Sequence, residues 1–166
     1  MGRADPIKQP DLFLELAKAL SHLQFEMIIS GDNALRKEIQ VKAKEIPNLN
    51  IMGGKSFFET LEYFKLAKCL INTSSAEGFP NTFIQAGLTK TPILSINVNP
   101  GKMLDTYGMG LCSNGSIEDA KNFLSALTDE KIKAFGENAY RYVCSKNNLK
   151  DKIEAYVKII LGNDPT

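Results

Sequence analysis

Residues 72–87, NTSSAEGFPNTFIQAG, set a carboxylate, a glycine, an aromatic ring and a proline in succession, where a short apolar run gives way to an amphipathic one. Gly78 permits a turn that a side chain would hinder and lets a ligand come close to the main chain. Pro80 suits the first turn of a helix, where its missing N–H costs nothing. The N–H groups of residues 81–83 would then be free donors, and with the helix dipole they make a seat for phosphate. Glu77 stands just outside that seat. A carboxylate repels phosphate, so it is expected to face a neutral part of the ligand. Sugar hydroxyls fit, because an ionised carboxylate accepts two such hydrogen bonds well. Gln85, further along, would reach a different part of one extended ligand.

Arg3 and Lys8 are expected in the loop after a first, truncated strand, at the same sheet edge as Glu77. Paired cations facing a helix start would neutralise a diphosphate, the arginine as a planar fork and the lysine as a point charge. Plainer readings stand beside these. Glu-Gly-Phe-Pro is common in tight turns, and Asn81 or Thr82 can be no more than a helix cap. Phe79 is more often a core plug than a stacking platform, and a single Arg or Lys is by default a solvated charge.

The elements that must position these residues follow from apolar periodicity. Residues 10–22 read as a helix with Pro10 in its first turn and Leu12, Leu16, Ala19 and Leu20 on one face. FEMIIS (25–30) is a strand stopped by Gly31, and 33–46 a helix that Asn33 can cap. LNIMG (49–53) is a strand; 56–68 is a helix opened by the capping box Ser56 and Glu59. CLINT (69–73), 81–90 and PILSI (92–96) continue as strand, helix and strand, followed by a loop with Pro100, Gly101, Gly108 and Gly110. Helices are expected near 116–127, 129–145 and 148–161, starting at Ser116, Thr128 and Asn148. Short strands alternating with helices predict an α/β fold, a doubly wound parallel sheet with C-terminal helices. MGR reads as the end of a strand, which suggests one domain, residues 1–166, belonging to something longer. In such sheets ligands bind outside the carboxyl ends of the strands.

Composition narrows the field. The chain has 166 residues, 43% hydrophobic and 23% charged, ordinary for a soluble globular protein. Twenty basic against nineteen acidic residues give +1, which argues against a general nucleic-acid binder. Cys69, Cys112 and Cys144 are widely spaced, and His22 is the sole histidine. No metal site, disulfide framework or serine or cysteine triad is expected, and a reducing cytoplasm is the natural setting. No run nears the ~20 apolar residues that cross a bilayer, and the polar start MGRADPIKQP lacks the apolar core of a secretory leader.

GRADPIKQPDLFLELAKAL, FEMIISG, NLNIMGG and NTSSAEGFPNTFIQAGLTKTPILSINVNPG together resemble the C-terminal half of a GT-B glycosyltransferase of the retaining group 1 type (family 4), in the expected order over roughly residues 2–112. The resemblance implies a Rossmann-like domain that binds a nucleoside-diphosphate sugar, with an N-terminal acceptor domain as its partner. It matches Arg3 and Lys8 to the basic pair that holds the donor diphosphate and stabilises the leaving group. Glu77 matches the first glutamate of the Glu-x7-Glu motif, which touches hydroxyls of the transferred sugar. The backbone around Gly78, Phe79, Asn81 and Thr82 would hold sugar and phosphate, and Gly53 and Gly54 fall at the base pocket. Gln85 departs from the pattern, standing where a second glutamate usually binds the ribose. It can accept from one hydroxyl but loses a charged bidentate contact, roughly 1 kcal/mol weaker. The implied reaction is hexosyl transfer to a glycan or lipid-linked acceptor, retaining and without metal or cofactor, by a whole enzyme that touches the inner membrane face; this portion alone would be inactive. Two alternatives remain open: a non-catalytic nucleotide-binding or regulatory module, and a related GT-B epimerase or phosphorylase.

Overall fold

The computed structural model describes residues 2–146; the helix expected at 148–161 lies outside them. Strand β1 (Gly2–Arg3) leads through a 3-10 turn (Pro6–Lys8) into helix α1 (Pro10–Ala19). There follow β2 (Phe25–Ser30), α2 (Ala34–Ala43), β3 (Leu49–Met52), α3 (Phe57–Leu66), β4 (Leu70–Asn72), α4 (Asn81–Leu88) and β5 (Ile93–Ser95). A second 3-10 turn (Pro100–Lys102) opens onto α5 (Met103–Thr106), then β6 (Gly110–Cys112), α6 (Ile117–Ser125) and α7 (Asp129–Lys146).

Every strand pairing among the described residues is parallel, as the alternation of strands and helices requires. The expected single sheet is divided, however: β1-β2-β3 form one three-stranded sheet and β4-β5-β6 another. The physical reason is the brevity of β1, two residues that pair with Ile29 and Ser30 of β2 and form no ladder with β4. Helices cover both faces, so the layering is doubly wound. On one face Leu16, Ala17, Ile39, Ala43, Ala120 and Leu124 of α1, α2 and α6 pack on Phe25, Met27 and Leu94. On the other, Phe64, Phe83, Ala86, Leu104 and Ala139 pack on Leu70 and Ile93. Ile93 and Leu94, adjacent in β5, are both fully buried on opposite faces, which is the period of two expected of a covered parallel strand.

Helix starts follow the sequence closely. Asn33 and Ser116 each accept from the backbone N–H three residues on, and Ser56 with Glu59 forms a reciprocal capping box. Helix ends fall short of the expected ones, because Leu20–Leu23 and Lys44–Ile46 continue as turns rather than as α-helix. The region 97–110 is richer than a loop, holding a turn, α5 and the start of β6. Gly110 has φ +149°, and a Cβ there would fall on the Ile93 backbone it pairs with, so β6 can form at this distance only with glycine.

Candidate functional site

The loop after β1 is built to hold its side chains still. Asp5 caps the 3-10 turn by accepting from Ile7 N (2.9 Å), and Gln9, in the left-handed region at φ 43°, redirects the chain into α1. This loop is laced to the one after β4. Thr73 Oγ1 donates to the Lys8 carbonyl (2.6 Å), and Ser75 N and Oγ both donate to the Ile7 carbonyl (2.8 and 3.2 Å). A cleft between β1 and β4 is lined by Gly2, Arg3, Lys8, Asn72, Ser74 and Thr82. Lys8 crosses it with its stem over Gly2, where a Cβ would stand 3.6 Å from Lys8 Cε.

Glu77 is reached by three donors on a single oxygen. Lys8 Nζ lies 3.0 Å from Oε1, Ser74 Oγ donates at 2.6 Å and Asn72 Nδ2 at 2.9 Å. Asn72 is itself oriented, accepting from Ser74 N through Oδ1 (3.0 Å). Burial pushes the Glu77 pKa upward, but the hydrogen bonds from Ser74, Asn72 and Lys8 and the lysine charge together outweigh it, and the net direction is below the ordinary glutamate value. The side chain is 17% exposed, and Oε2 has no partner among the described residues. The site therefore presents one oxygen of a firmly ionised carboxylate to a ligand.

The start of α4 differs from expectation in two respects. Pro80 is not in the first turn but caps it from outside, at φ −75° and ψ 110°, and is buried. Phe83 N is not free, since it donates to the Pro80 carbonyl at 2.9 Å. Asn81 N and Thr82 N make no hydrogen bond among the described residues, so two amides rather than three remain for a ligand, and neither Asn81 nor Thr82 caps the helix. Phe79 is 45% exposed, which rules out a core plug. Gly78 is open, with nothing within 4 Å of a built Cβ.

Arg3 lies in the last residue of β1 rather than in the loop, is exposed, and makes no ion pair among the described residues. Its Cγ packs 3.9 Å from a Cβ built on Gly31, at the carboxyl end of β2. The structure thus brings Arg3, Lys8, Glu77 and Thr82 to one edge. Gly53 and Gly54 stand apart from the cleft, exposed after β3, with Gly54 close against Ser30 (3.0 Å from a built Cβ to Ser30 Cβ). Gln85 lies in the middle of α4, and its Oε1 is buried with no partner, an acceptor left open in the helix. Sequence reasoning missed Asn72 and Ser74, whose signal was present: two amide or hydroxyl side chains five and three residues before Glu77, where a strand ends. It also missed the Lys8–Glu77 pair, which joins residues distant in the chain and leaves no local pattern.

Comparisons with known proteins bear on the family and the fold. The sequence model described as glycosyl transferases group 1 matches residues 1–148. Over 171 aligned residues the chain is 28% identical to the Campylobacter jejuni enzyme named GalNAc-alpha-(1->4)-GalNAc-alpha-(1->3)-diNAcBac-PP-undecaprenol alpha-1,4-N-acetyl-D-galactosaminyltransferase, covering 96% of this chain and 46% of that one. Among solved structures, a mutant TarM of Staphylococcus aureus in complex with fondaparinux, alpha-GlcNAc-glycerol and UDP superposes with a TM-score of 0.81 at 21% identity, covering 95% of this chain and 34% of that one. The C-terminal domain of a glycosyl transferase group 1 family protein (LpcC) from Francisella tularensis gives 0.73 at 18% identity, covering 89% and 83%. At these identities the structures speak for the fold, which is that of a GT-B Rossmann-like half. The chain spans less than half the length of the curated relatives it matches.

Proposed function

Since this chain belongs to the group 1 glycosyl transferases, we propose that it is the donor-binding half of one, holding a nucleoside-diphosphate sugar for transfer of a hexosyl group to a glycan or lipid-linked acceptor. The observation that carries this reading is the convergence of Arg3, Lys8 and Thr82 on one cleft, at the start of α4 where two amides are unpaired, with a carboxylate oxygen open beside them. In this reading the diphosphate lies between the guanidinium of Arg3 and the N–H groups of Asn81 and Thr82, where the helix dipole adds to their pull. Glu77 Oε2 accepts from a hydroxyl of the sugar, Phe79 and Gly78 flank it, Gln85 takes a ribose hydroxyl, and Gly53 and Gly54 border the base.

Lys8 has a shared role. At 3.0 Å from Glu77 its charge is partly neutralised in the resting site. As the glycosidic bond breaks, negative charge grows on the departing phosphate, and an ammonium already tethered at the cleft can turn toward it without a search. Fixed positive groups at that point stabilise the transition state more than the ground state. No metal is required by this scheme, in which retention of configuration, an acceptor domain outside this chain, and a cytoplasmic, membrane-peripheral whole enzyme are all part of the proposal. The coverage of under half of the curated relatives supports the two-domain reading.

Calorimetric titration with UDP, GDP and their sugar conjugates tests it. Arg3→Ala should weaken the free nucleotides. Glu77→Ala should remove the added affinity of the sugar while leaving the free nucleotide as tight or tighter, because it releases Lys8. Equal losses of free nucleotide in both variants would overturn the division of roles.

A further inference from the structure

Arg36 has no part in the site as drawn so far, and its surroundings leave its hydrogen-bonding capacity only partly used. Asn33 caps α2 through Arg36 N at 3.0 Å, which holds the residue in the first turn. Nη1 donates to the Gly31 carbonyl at 2.7 Å. Nε is buried and finds no acceptor, and no carboxylate pairs with the guanidinium among the described residues. Nη2 faces the loop after β3, 3.8 Å from a Cβ built on Gly53, so the missing side chain of that glycine leaves open space in front of it. The nearby Lys55 is engaged elsewhere, 4.0 Å from Glu59 and over the Tyr63 ring. A cation fixed by its own backbone contacts, without a counter-ion and beside an opening, is prepared for an acceptor from outside.

We propose that Arg36 donates through Nη2 to the exocyclic carbonyl oxygen that distinguishes uracil from cytosine and guanine from adenine, so that this chain selects a nucleotide with an oxo group at the far edge of its base. The inference rests on the reading of the site as a nucleoside-diphosphate pocket. Arg3 flanks Gly31 on one side and Arg36 bonds its carbonyl, so the two guanidinium groups follow the carboxyl edge of one sheet from β1 toward β3. Two strand spacings, about 10 Å, separate those strands, a span that an extended nucleotide covers from phosphate to base. The diphosphate is met at the β1 end, which leaves the outer edge of the base for the β3 end. A guanidinium has five donors and no acceptor. Against the amino group of cytosine or adenine it would face donor to donor, leaving both groups unsatisfied, the arrangement that sites reject most strongly.

The test is calorimetric titration of the 166-residue chain with UDP, CDP, GDP, ADP and inorganic pyrophosphate. The unchanged chain should bind UDP over CDP, or GDP over ADP, by at least about tenfold, one charged hydrogen bond's worth. Arg36→Ala should collapse that ratio to within about threefold with the loss falling on the oxo-bearing nucleotide rather than on pyrophosphate, and Arg36→Lys should restore part of it. Gly53→Val, which keeps the guanidinium but fills the space before it, should lower the same ratio and guards against a fold defect in the arginine variants. A ratio that survives in Arg36→Ala and Gly53→Val, or an equal loss of all nucleotides and pyrophosphate, overturns the inference and leaves the nucleotide pocket standing. If the unchanged chain binds no nucleoside diphosphate more tightly than pyrophosphate, the proposed function falls and this inference with it.

Discussion

The two ends of α4 meet opposite demands. Its first turn faces the cleft with unpaired amides and an open Gly78 before it, whereas its last turn is pressed into α7. There a Cβ on Gly87 would collide with Val143 and come within 3.0 Å of the Ala139 carbonyl, and a Cβ on Gly136 of α7 would meet the Lys90 carbonyl. Lys90 Nζ closes the seam by pairing with Glu137 at 2.7 Å. One helix is thus clamped behind and left free in front. The rigid end fixes where the polar end points, which a ligand-binding helix start requires.

This contrast can be tested from the large effect to the small. Gly87→Ala should cost about 2–3 kcal/mol of folding stability through overpacking, read as a lower midpoint in urea; a change within experimental error would mean that the α4–α7 seam is loose. Arg3→Ala should leave the urea midpoint alone but weaken UDP or GDP by about tenfold or more, the loss of one charge-assisted contact.

Glu77 gives a pH signature between these. Its folded pKa lies below the value it has when unfolded, 4.5, so it contributes stability above that value, and the contribution is lost as pH falls through the lowered folded pKa. Glu77→Gln should therefore lower the neutral plateau and flatten the acid limb, the two proteins converging as pH falls through the lowered folded pKa; an unaltered acid limb would show that Lys8, Ser74 and Asn72 do not hold the carboxylate as drawn. Smallest of all, Gly78→Ala should change the unfolding free energy measured in urea by less than about 0.5 kcal/mol, since no atom lies within reach of its Cβ.

Much of the scaffold was legible because it is local. FEMIIS is the strand 25–30 as read, and the caps at Asn33, Ser56 and Ser116 sit where serine and asparagine precede apolar periodicity. The three-residue β6 escaped because Gly110 breaks its pattern, and that glycine is explained only by the Ile93 backbone beside it. The nearness of a few polar residues was legible, and their wiring was not. Arg3, Lys8, Glu77 and Thr82 do share an edge, but the chain gives no hint that Lys8 would bind Glu77 rather than stand free. Arg36 was invisible for a related reason. A basic residue in the first turn of a helix reads as a surface charge, and its bond to the Gly31 carbonyl and the open place at Gly53 arise only when the chain folds.

The bonds from Thr73 and Ser75 to Lys8 and Ile7 fasten the two sheets together at one margin, while no ladder joins β1 to β4 behind it. The core that α1, α2 and α6 share between Met27 and Leu94 joins the sheets along the rest of their length, so the laced margin adds stiffness at the mouth of the pocket itself.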